Sequence, residues 1–423
     1  MNVHVVSSGD SLYSLAQKYG VSPDSILSTN KLANPNQLVL GETLLIPTQN
    51  QYTVREGDTL YSIAKKFNLS FQALSQANPS LANRPLSPGD VVKLPPKQKQ
   101  TIITNGFIEP FVSDAVEHFQ EAAEGLTYLT VFSYHVDEKG ALTPPDDAAL
   151  LAAIKQTNVQ PLMAITNLKE SQFDKDVGAK VLNSRSVQDT LIQNVLTVLR
   201  SKGYRGVNVD FEYLGSDLRE AYNRFIKRLA DRLHQEGYII SSSLAPKTSG
   251  QQVGAWYESH DYQFHGKVCD FVVLMTYEWG WSGGPPMPVS PITEVEKVLN
   301  YALSVMPARR IVMSVPLYGY DWTLPYQKGG EFAKALRERQ AVALAAKYNT
   351  AISFDPKEAS PYFRYTDENG KQHIVYFPDL RMMEAMFALC DRLNLSGISF
   401  WNLAFQYPAV WPFIRDYFNV RKR

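Results

Sequence analysis

The chain has 423 residues, enough for two or three domains with at least one large core. Lysine plus arginine and aspartate plus glutamate each total 42, so the formal net charge is zero. That balance lacks the basic patterning of nucleic-acid binders and of proteins held on anionic membranes, so neither is expected as a partner. The 23 Tyr, 20 Phe and 6 Trp exceed what a core alone needs and are compatible with a groove that stacks sugar rings.

The only cysteines are Cys269, just before an apolar strand, and Cys390, within a helix-like segment. Buried inert thiols are the first reading, with a single bridge left open. The 7 histidines form no cluster, and neither CxxC nor HExxH occurs, so no metal or cofactor is assigned. The start, Met-Asn-Val-His-Val-Val-Ser-Ser-Gly-Asp, has neither a basic nor an apolar leader region, and no run is long enough to span a membrane. Synthesis in the cytoplasm without Sec-type export is therefore expected, as a monomer.

Residues 4–47 repeat as 52–95 at a constant offset of 48, without a gap. Gly9, Asp10, Leu12, Tyr13, Ser14, Asn30, Leu38, Gly41 and Pro47 recur as Gly57, Asp58, Leu60, Tyr61, Ser62, Asn78, Leu86, Gly89 and Pro95. Each copy reads as a short strand, a Gly-Asp turn, a helix with Asp10 or Asp58 as N-cap, a second short helix, and a closing strand. This βααβ unit resembles a lysin motif, the module that binds N-acetylglucosamine-containing glycans such as peptidoglycan and chitin. The resemblance implies a sugar groove between the Gly-Asp turn and the loop before the last strand. That points to Gly9, Asp10, Ser11 and Leu12 with Leu38–Leu40 in the first copy. In the second it points to Gly57, Asp58, Thr59 and Leu60 with Leu86–Pro88. Protein-interaction or spacer modules are the competing reading. Residues 1–48 and 50–96 are taken as the two modules, followed by a polar linker at 96–100.

From Thr101 strands alternate with amphipathic helices, the signature of a parallel sheet. Strands are expected at 101–107, 128–134, 160–165, 206–212, 239–244, 271–277, 311–318 and 397–401. Helices are expected at 114–124, 146–156, 186–202, 217–236, 256–268, 292–306, 380–393 and 409–418. Eight such pairs give an α/β fold, a (β/α)8 TIM barrel over 101–423. The connection after the seventh strand is too long for a simple loop. Residues 321–378 therefore read as a small α+β insertion, with a helix at 332–347 and a hairpin of 362–366 with 373–377 turning at Asp367-Glu368-Asn369-Gly370.

The fourth strand, Gly206-Val-Asn-Val-Asp-Phe-Glu, carries the chemistry. Alternation puts Val207, Val209 and Phe211 on one face and Asn208, Asp210 and Glu212 on the other. Two carboxylates at a strand's C-terminal end rarely ionise independently, which keeps one protonated for general-acid work. A polar strand end satisfied by backbone is the duller alternative.

These residues resemble glycoside hydrolase family 18, whose strand-four signature is Asp-x-x-Asp-x-Asp-x-Glu. Asp210 and Glu212 match its last two acids; Asn208 and Arg205 replace the others. Met275-Thr276-Tyr277-Glu278 resembles the family's strand-six end, Pro316-Leu317-Tyr318-Gly319 its strand-seven end, and Trp401 its strand-eight tryptophan. The resemblance implies Glu212 as acid and base, Asp210 as orienting carboxylate and Tyr277 as donor to the substrate's acetamido group. It also implies Asn208, Met275, Tyr318, Trp401 and Trp279 as substrate-binding residues. Paired lysin motifs ahead of such a barrel are similar to the spore-cortex-lytic N-acetylglucosaminidases of spore-forming bacteria. That similarity implies a retaining hydrolase of peptidoglycan deposited in spore cortex or coat layers. A chitinase, a non-catalytic lectin on the same barrel, and a structural coat protein remain the alternatives.

Overall fold

The computed structural model describes residues 1–32, 34–47, 51–67, 69–95, 99–111 and 114–422. Each N-terminal module pairs its first and last strands antiparallel, Asn2–Val5 with Thr43–Ile46 and Gln51–Thr53 with Val91–Lys93. The recurring asparagine explains why the halves stay together. Asn30 Nδ2 donates to the Ile26 and Leu45 carbonyls, and its Oδ1 accepts from Leu45 N at 2.7 Å. Asn78 makes the same three bonds, to the Leu74 and Lys93 carbonyls and from Lys93 N. A buried amide with three partners clips the second helix to the closing strand.

The N-caps differ from the sequence expectation. Ser11 and Thr59, not Asp10 and Asp58, cap helices Leu12–Tyr19 and Leu60–Lys66, each in a reciprocal capping box with Ser14 or Ser62. The aspartates are turned back across the turn. Asp10 accepts from Ser7 N and pairs with His4, both at 2.8 Å; Asp58 accepts from Arg55 N and the Tyr52 hydroxyl.

Eight parallel strands close the barrel: β1 (Thr101–Ile108), β2 (Tyr128–Val136), β3 (Gln160–Thr166), β4 (Gly206–Asp210), β5 (Ile239–Leu244), β6 (Phe271–Leu274), β7 (Ile311–Pro316) and β8 (Gly397–Trp401). Closure comes from β1 pairing both β2 and β8. Val207, Val209 and Phe211 point outward into the layer between sheet and helices and are fully buried there with Leu229, Ile226 and Phe225. The opposite face of β4 lines the barrel interior.

Several boundaries depart from expectation, four of them for tertiary reasons that bear on the site and the insertion. β4 and β6 stop at Asp210 and Leu274, short of Glu212 and Tyr277, because both exits turn. Tyr213 and Glu278, directly after those residues, adopt left-handed φ of 56° and 68°. Helix Tyr262–Val268 replaces the expected 256–268; Asp261 caps it by accepting from Phe264 N, and 256–260 belong to a loop that reaches the site. In the insertion, Lys334–Arg337 is a strand paired with Tyr318–Asp321, so the helix begins only at Glu338. The expected hairpin is present as Ser360–Thr366 with Gln372–Tyr376, inside a five-stranded antiparallel sheet. The helix Lys175–Asn183, capped by Asp174, has no counterpart in the sequence reading.

The first module packs on the barrel domain: Leu45 joins the main core, and Ile352 N donates to Leu40 O at 2.8 Å. Cys269 and Cys390 are free and buried, 121 residues apart in sequence on separate elements. Among the described residues no helix is long and apolar enough to cross a membrane, and no group of His, Cys, Asp and Glu could hold a metal ion.

Candidate active site

At the C-terminal ends of the strands lies a cleft of about 690 Å³. Phe107, Phe132, Phe173, Tyr213, Trp256, Tyr257, Tyr277, Trp281 and Trp401 line it, with Glu109, Asp210, Glu212 and Glu278. Asp210 and Glu212 are 4% and 7% exposed, so both carboxyls sit almost dry at its base. Burial raises Glu212 well above the ordinary carboxylate range, the Asp210 charge raises it further, and a hydrogen bond from Trp256 opposes both. Burial likewise raises Asp210. Ionising Asp210 therefore leaves the remaining proton of the pair on Glu212. Among the described residues Asp210 Oδ1 has no hydrogen-bond partner, a buried acceptor open to a donor in the cleft.

Beyond Asp210 the chain leaves the sheet, and side chains take over the backbone bonds. Glu212 N donates to Asn167 Oδ1 at 2.9 Å, while Asn167 Nδ2 donates to the carbonyls of Glu212 and Asp174, both at 3.0 Å. His260 fastens the preceding residue. Its Nδ1 accepts from Ala245 N at 2.8 Å, so Nε2 carries the proton and donates to Phe211 O at 3.0 Å. Burial pushes His260 down to about 4, which keeps it neutral in that tautomer. Asn167 and His260 lie far from 204–214 in sequence and match no motif. Nothing short of the fold reveals them.

The structure brings Asp210, Glu212, Met275, Tyr277 and Trp401 into one cleft. Trp401 stands edge-on to Phe107 and Phe132, with ring centroids 5.4 and 4.9 Å apart, which fixes it as part of the floor. Of the residues expected at the substrate, two lie behind the lining and a third lies beside the cleft. Asn208, 1% exposed, donates from Nδ2 to Ser241 Oγ at 3.0 Å and accepts from Ser243 Oγ at 3.1 Å beneath Asp210. Tyr318 is buried with its hydroxyl on Glu278, and Tyr320 donates to the same oxygen at 3.0 Å. Trp279 borders a neighbouring depression and packs on the main core, because the turn at Glu278 swings it away. Trp256, Tyr257, Tyr213, Glu109 and His135 line the cleft without having been singled out in sequence. The aromatic pair Trp256-Tyr257 beside Gly254 is the available signal, although the sequence pattern there predicts helix.

In the first module Asp10, Ser11, Leu12 and Leu38 come together around a groove of about 460 Å³ with Tyr13, Asp24 and Asn36. Gly9 supplies the turn at φ 86°. Leu12 is 8% exposed and belongs to the module core, so it offers the groove mainly backbone. In the second module Gly57 takes φ 80°, Leu60 is buried in that module's core, Leu86 packs against it, and Asp58 and Thr59 hold the turn and cap.

A buried carboxyl pair at the C-terminal end of β4 in a closed barrel agrees with the comparison to known proteins. Glycosyl hydrolases family 18 matches residues 98–405, and the LysM domain matches 4–47 and 52–95. The chain belongs to glycosyl hydrolases family 18. It is 49% identical over 428 residues to the cortical fragment-lytic enzyme of Bacillus subtilis (strain 168), covering 100% of this chain and 99% of that one. The enzyme of the same name from Bacillus cereus is 44% identical over 429 residues, with both chains fully covered. The crystal structure of the Bacillus megaterium QM B1551 spore cortex-lytic enzyme SleL superposes with a TM-score of 0.90 at 40% identity, over 100% of this chain and 99% of that one. This family 18 chain is accordingly a glycosidase.

Proposed function

We propose that the chain hydrolyses spore-cortex peptidoglycan fragments, cleaving β-1,4 bonds on the reducing side of N-acetylglucosamine with retention of configuration. The observation that carries this reading is the nearly dry Asp210–Glu212 pair, with Asp210 Oδ1 unpartnered and Tyr277 and Trp401 in the same cleft. The names of the full-length relatives support the substrate.

In the first step Glu212 delivers its proton to the glycosidic oxygen while the C1–O bond breaks toward that oxygen. The substrate's own acetamido oxygen attacks C1, so no second carboxylate nucleophile is needed; family 18 is a known exception to the two-carboxylate scheme. Asp210 accepts the acetamido N–H and offsets the positive charge of the oxazolinium. Tyr277, whose hydroxyl is held protonated by burial and by the neighbouring carboxylates, donates to the acetamido oxygen. Trp401 supports the apolar ring face. Glu212, now ionised, takes a proton from water as that water opens the intermediate. Residues 1–48 and 50–96 hold the protein on glycan through the groove at Asp10–Leu12 and Leu38 and its second-module counterpart, and 101–423 act as a monomeric hydrolase in the cortex or coat.

The test is mass spectrometry of products from purified cortex peptidoglycan. New N-acetylglucosamine reducing ends are expected; new muramic-acid ends would contradict the bond choice. Glu212→Gln should abolish turnover while binding to the glycan persists, and near-wild-type hydrolysis by that variant would remove Glu212 as the acid.

A further inference from the structure

Glu212 has two carboxyl oxygens, and only one of them can carry the proton to the substrate. The structure treats them differently. Oε2 accepts a hydrogen bond from the indole N–H of Trp256; no other side-chain bond to this carboxyl is found among the described residues. Indole nitrogen is a donor only, and the hydroxyl oxygen of a protonated carboxyl is a much poorer acceptor than its carbonyl oxygen, so the N–H favours the proton on the other oxygen.

Trp256 is held for this contact. Its ring stacks on Tyr213 with centroids 6.0 Å apart and planes within 10°, and tilts against Tyr257 at 5.3 Å. The loop that carries it is tied to the strand-four exit on both sides of Glu212. Gly215 N donates to Ala255 O at 3.1 Å, and His260 donates to Phe211 O at 3.0 Å. Movement of the loop therefore moves the acid and its donor together.

We propose that Trp256 is a positioning residue for the general acid: its N–H reserves Oε2 of Glu212 as an acceptor and leaves Oε1 as the oxygen that carries and delivers the proton. The inference rests on the assignment of Glu212 above. Its energetic consequence follows from charge. A hydrogen bond to a carboxylate is roughly twice as strong as one to a neutral acid. The Trp256 bond thus strengthens as Glu212 gives up its proton, in the transition state and not before it. It also opposes the burial and the Asp210 charge that hold the Glu212 proton on. Without it Glu212 becomes a weaker acid, and leaving groups that depend on protonation suffer most.

The experiment compares wild type, Trp256→Phe and an enzyme carrying benzothienylalanine at 256, which replaces only the N–H with sulfur and keeps the bicyclic ring. Each is assayed on N-acetylglucosaminyl glycosides of graded leaving-group pKa, with a kcat/KM pH profile. In both variants the basic limb should move to higher pH. Turnover of unactivated sugar leaving groups should fall on the order of 10- to 100-fold, and that of dinitrophenyl glycosides far less. Equal losses across the series with an unmoved basic limb would overturn the proposal and leave Trp256 as packing or a sugar platform. If Trp256→Phe does not fold, the benzothienylalanine enzyme decides by the same two readouts. Failure of the underlying assignment looks different, because Glu212→Gln would then retain turnover whatever Trp256 does.

Discussion

Asn167→Ala is the sharpest test of how the strand-four exit is held. Asn167 is fully buried and makes three hydrogen bonds of 2.9 to 3.0 Å, two of them to the backbone of Glu212. Truncation orphans the N–H and the carbonyl of Glu212, each costing about 1–3 kcal/mol when left unsatisfied in the interior, while the Asp174 carbonyl keeps its bond from Gly178 N. The vacated space is roughly that of one water, which can restore part of the loss. A net destabilisation of about 2–4 kcal/mol follows, or roughly 3–6 °C in Tm for a domain of this size. The effect on turnover should be larger in proportion. A displacement of about 1 Å at the reacting group costs on the order of 100-fold in kcat. The assay is thermal unfolding beside kcat on a soluble aryl glycoside, at a temperature where the variant is folded. A Tm within about 2 °C and a kcat within about twofold of wild type would refute the reasoning, since such small changes are those of ordinary surface positions.

Asp210→Asn should lower kcat by removing the countercharge to the oxazolinium. It should also move the basic limb of kcat/KM to lower pH, because the Asp210 charge is what raises Glu212 beyond the effect of burial. A limb that stays or moves up in a pH-rate titration would contradict that coupling. Leu45→Lys should release the first module from the barrel, since it trades a buried leucine worth about 1.5–3 kcal/mol for a cation that must leave water to stay in the packed layer. Small-angle scattering should show a larger radius of gyration with aryl-glycoside turnover unchanged, and an unchanged scattering curve would count against the docking.

The barrel was legible because its signal is redundant: eight alternations of apolar strand and amphipathic helix survive errors of several residues at any boundary. That Asp210, Glu212 and Tyr277 share the barrel mouth was legible for a different reason, since they sit on or shortly after strands whose alternation and end fix where a side chain points. Trp279 and Tyr318 lie past Leu274 and Pro316, where alternation no longer aims side chains into the barrel because the backbone turns left-handed at Glu278 or enters the insertion sheet. Lys334–Arg337 failed as helix because an open strand at Tyr318–Leu324 gave it a partner, and pairing outweighs the few tenths of a kcal/mol per residue that helix propensity supplies. Trp256, Asn167 and His260 were illegible in principle. Each acts on Glu212 or Phe211 across 44, 45 or 49 residues of chain. No periodicity encodes such a distance.

The two modules show what their similarity concealed. At the 48-residue offset Val3, Val39 and Leu45 stand where the second copy has Gln51, Ser87 and Lys93. Strand Thr43–Ile46 is buried throughout, whereas Val91–Lys93 alternates exposed, buried, exposed. Leu44 and Val92 fill their own module cores, so alternation aims Leu45 and Lys93 outward. An outward apolar residue demands a cover, and here the cover is the barrel, whose main core takes in Leu45 and Val3 and whose insertion core takes in Val39. Gly41 shows how close the approach is: a Cβ there would lie 1.9 Å from Ile352 O. The matches between the repeats therefore specify the module, and the mismatches specify the docking face. One consequence is functional. The first groove is held in a fixed relation to the cleft, while the second module keeps a polar outer strand, and the two are expected to serve glycan binding unequally.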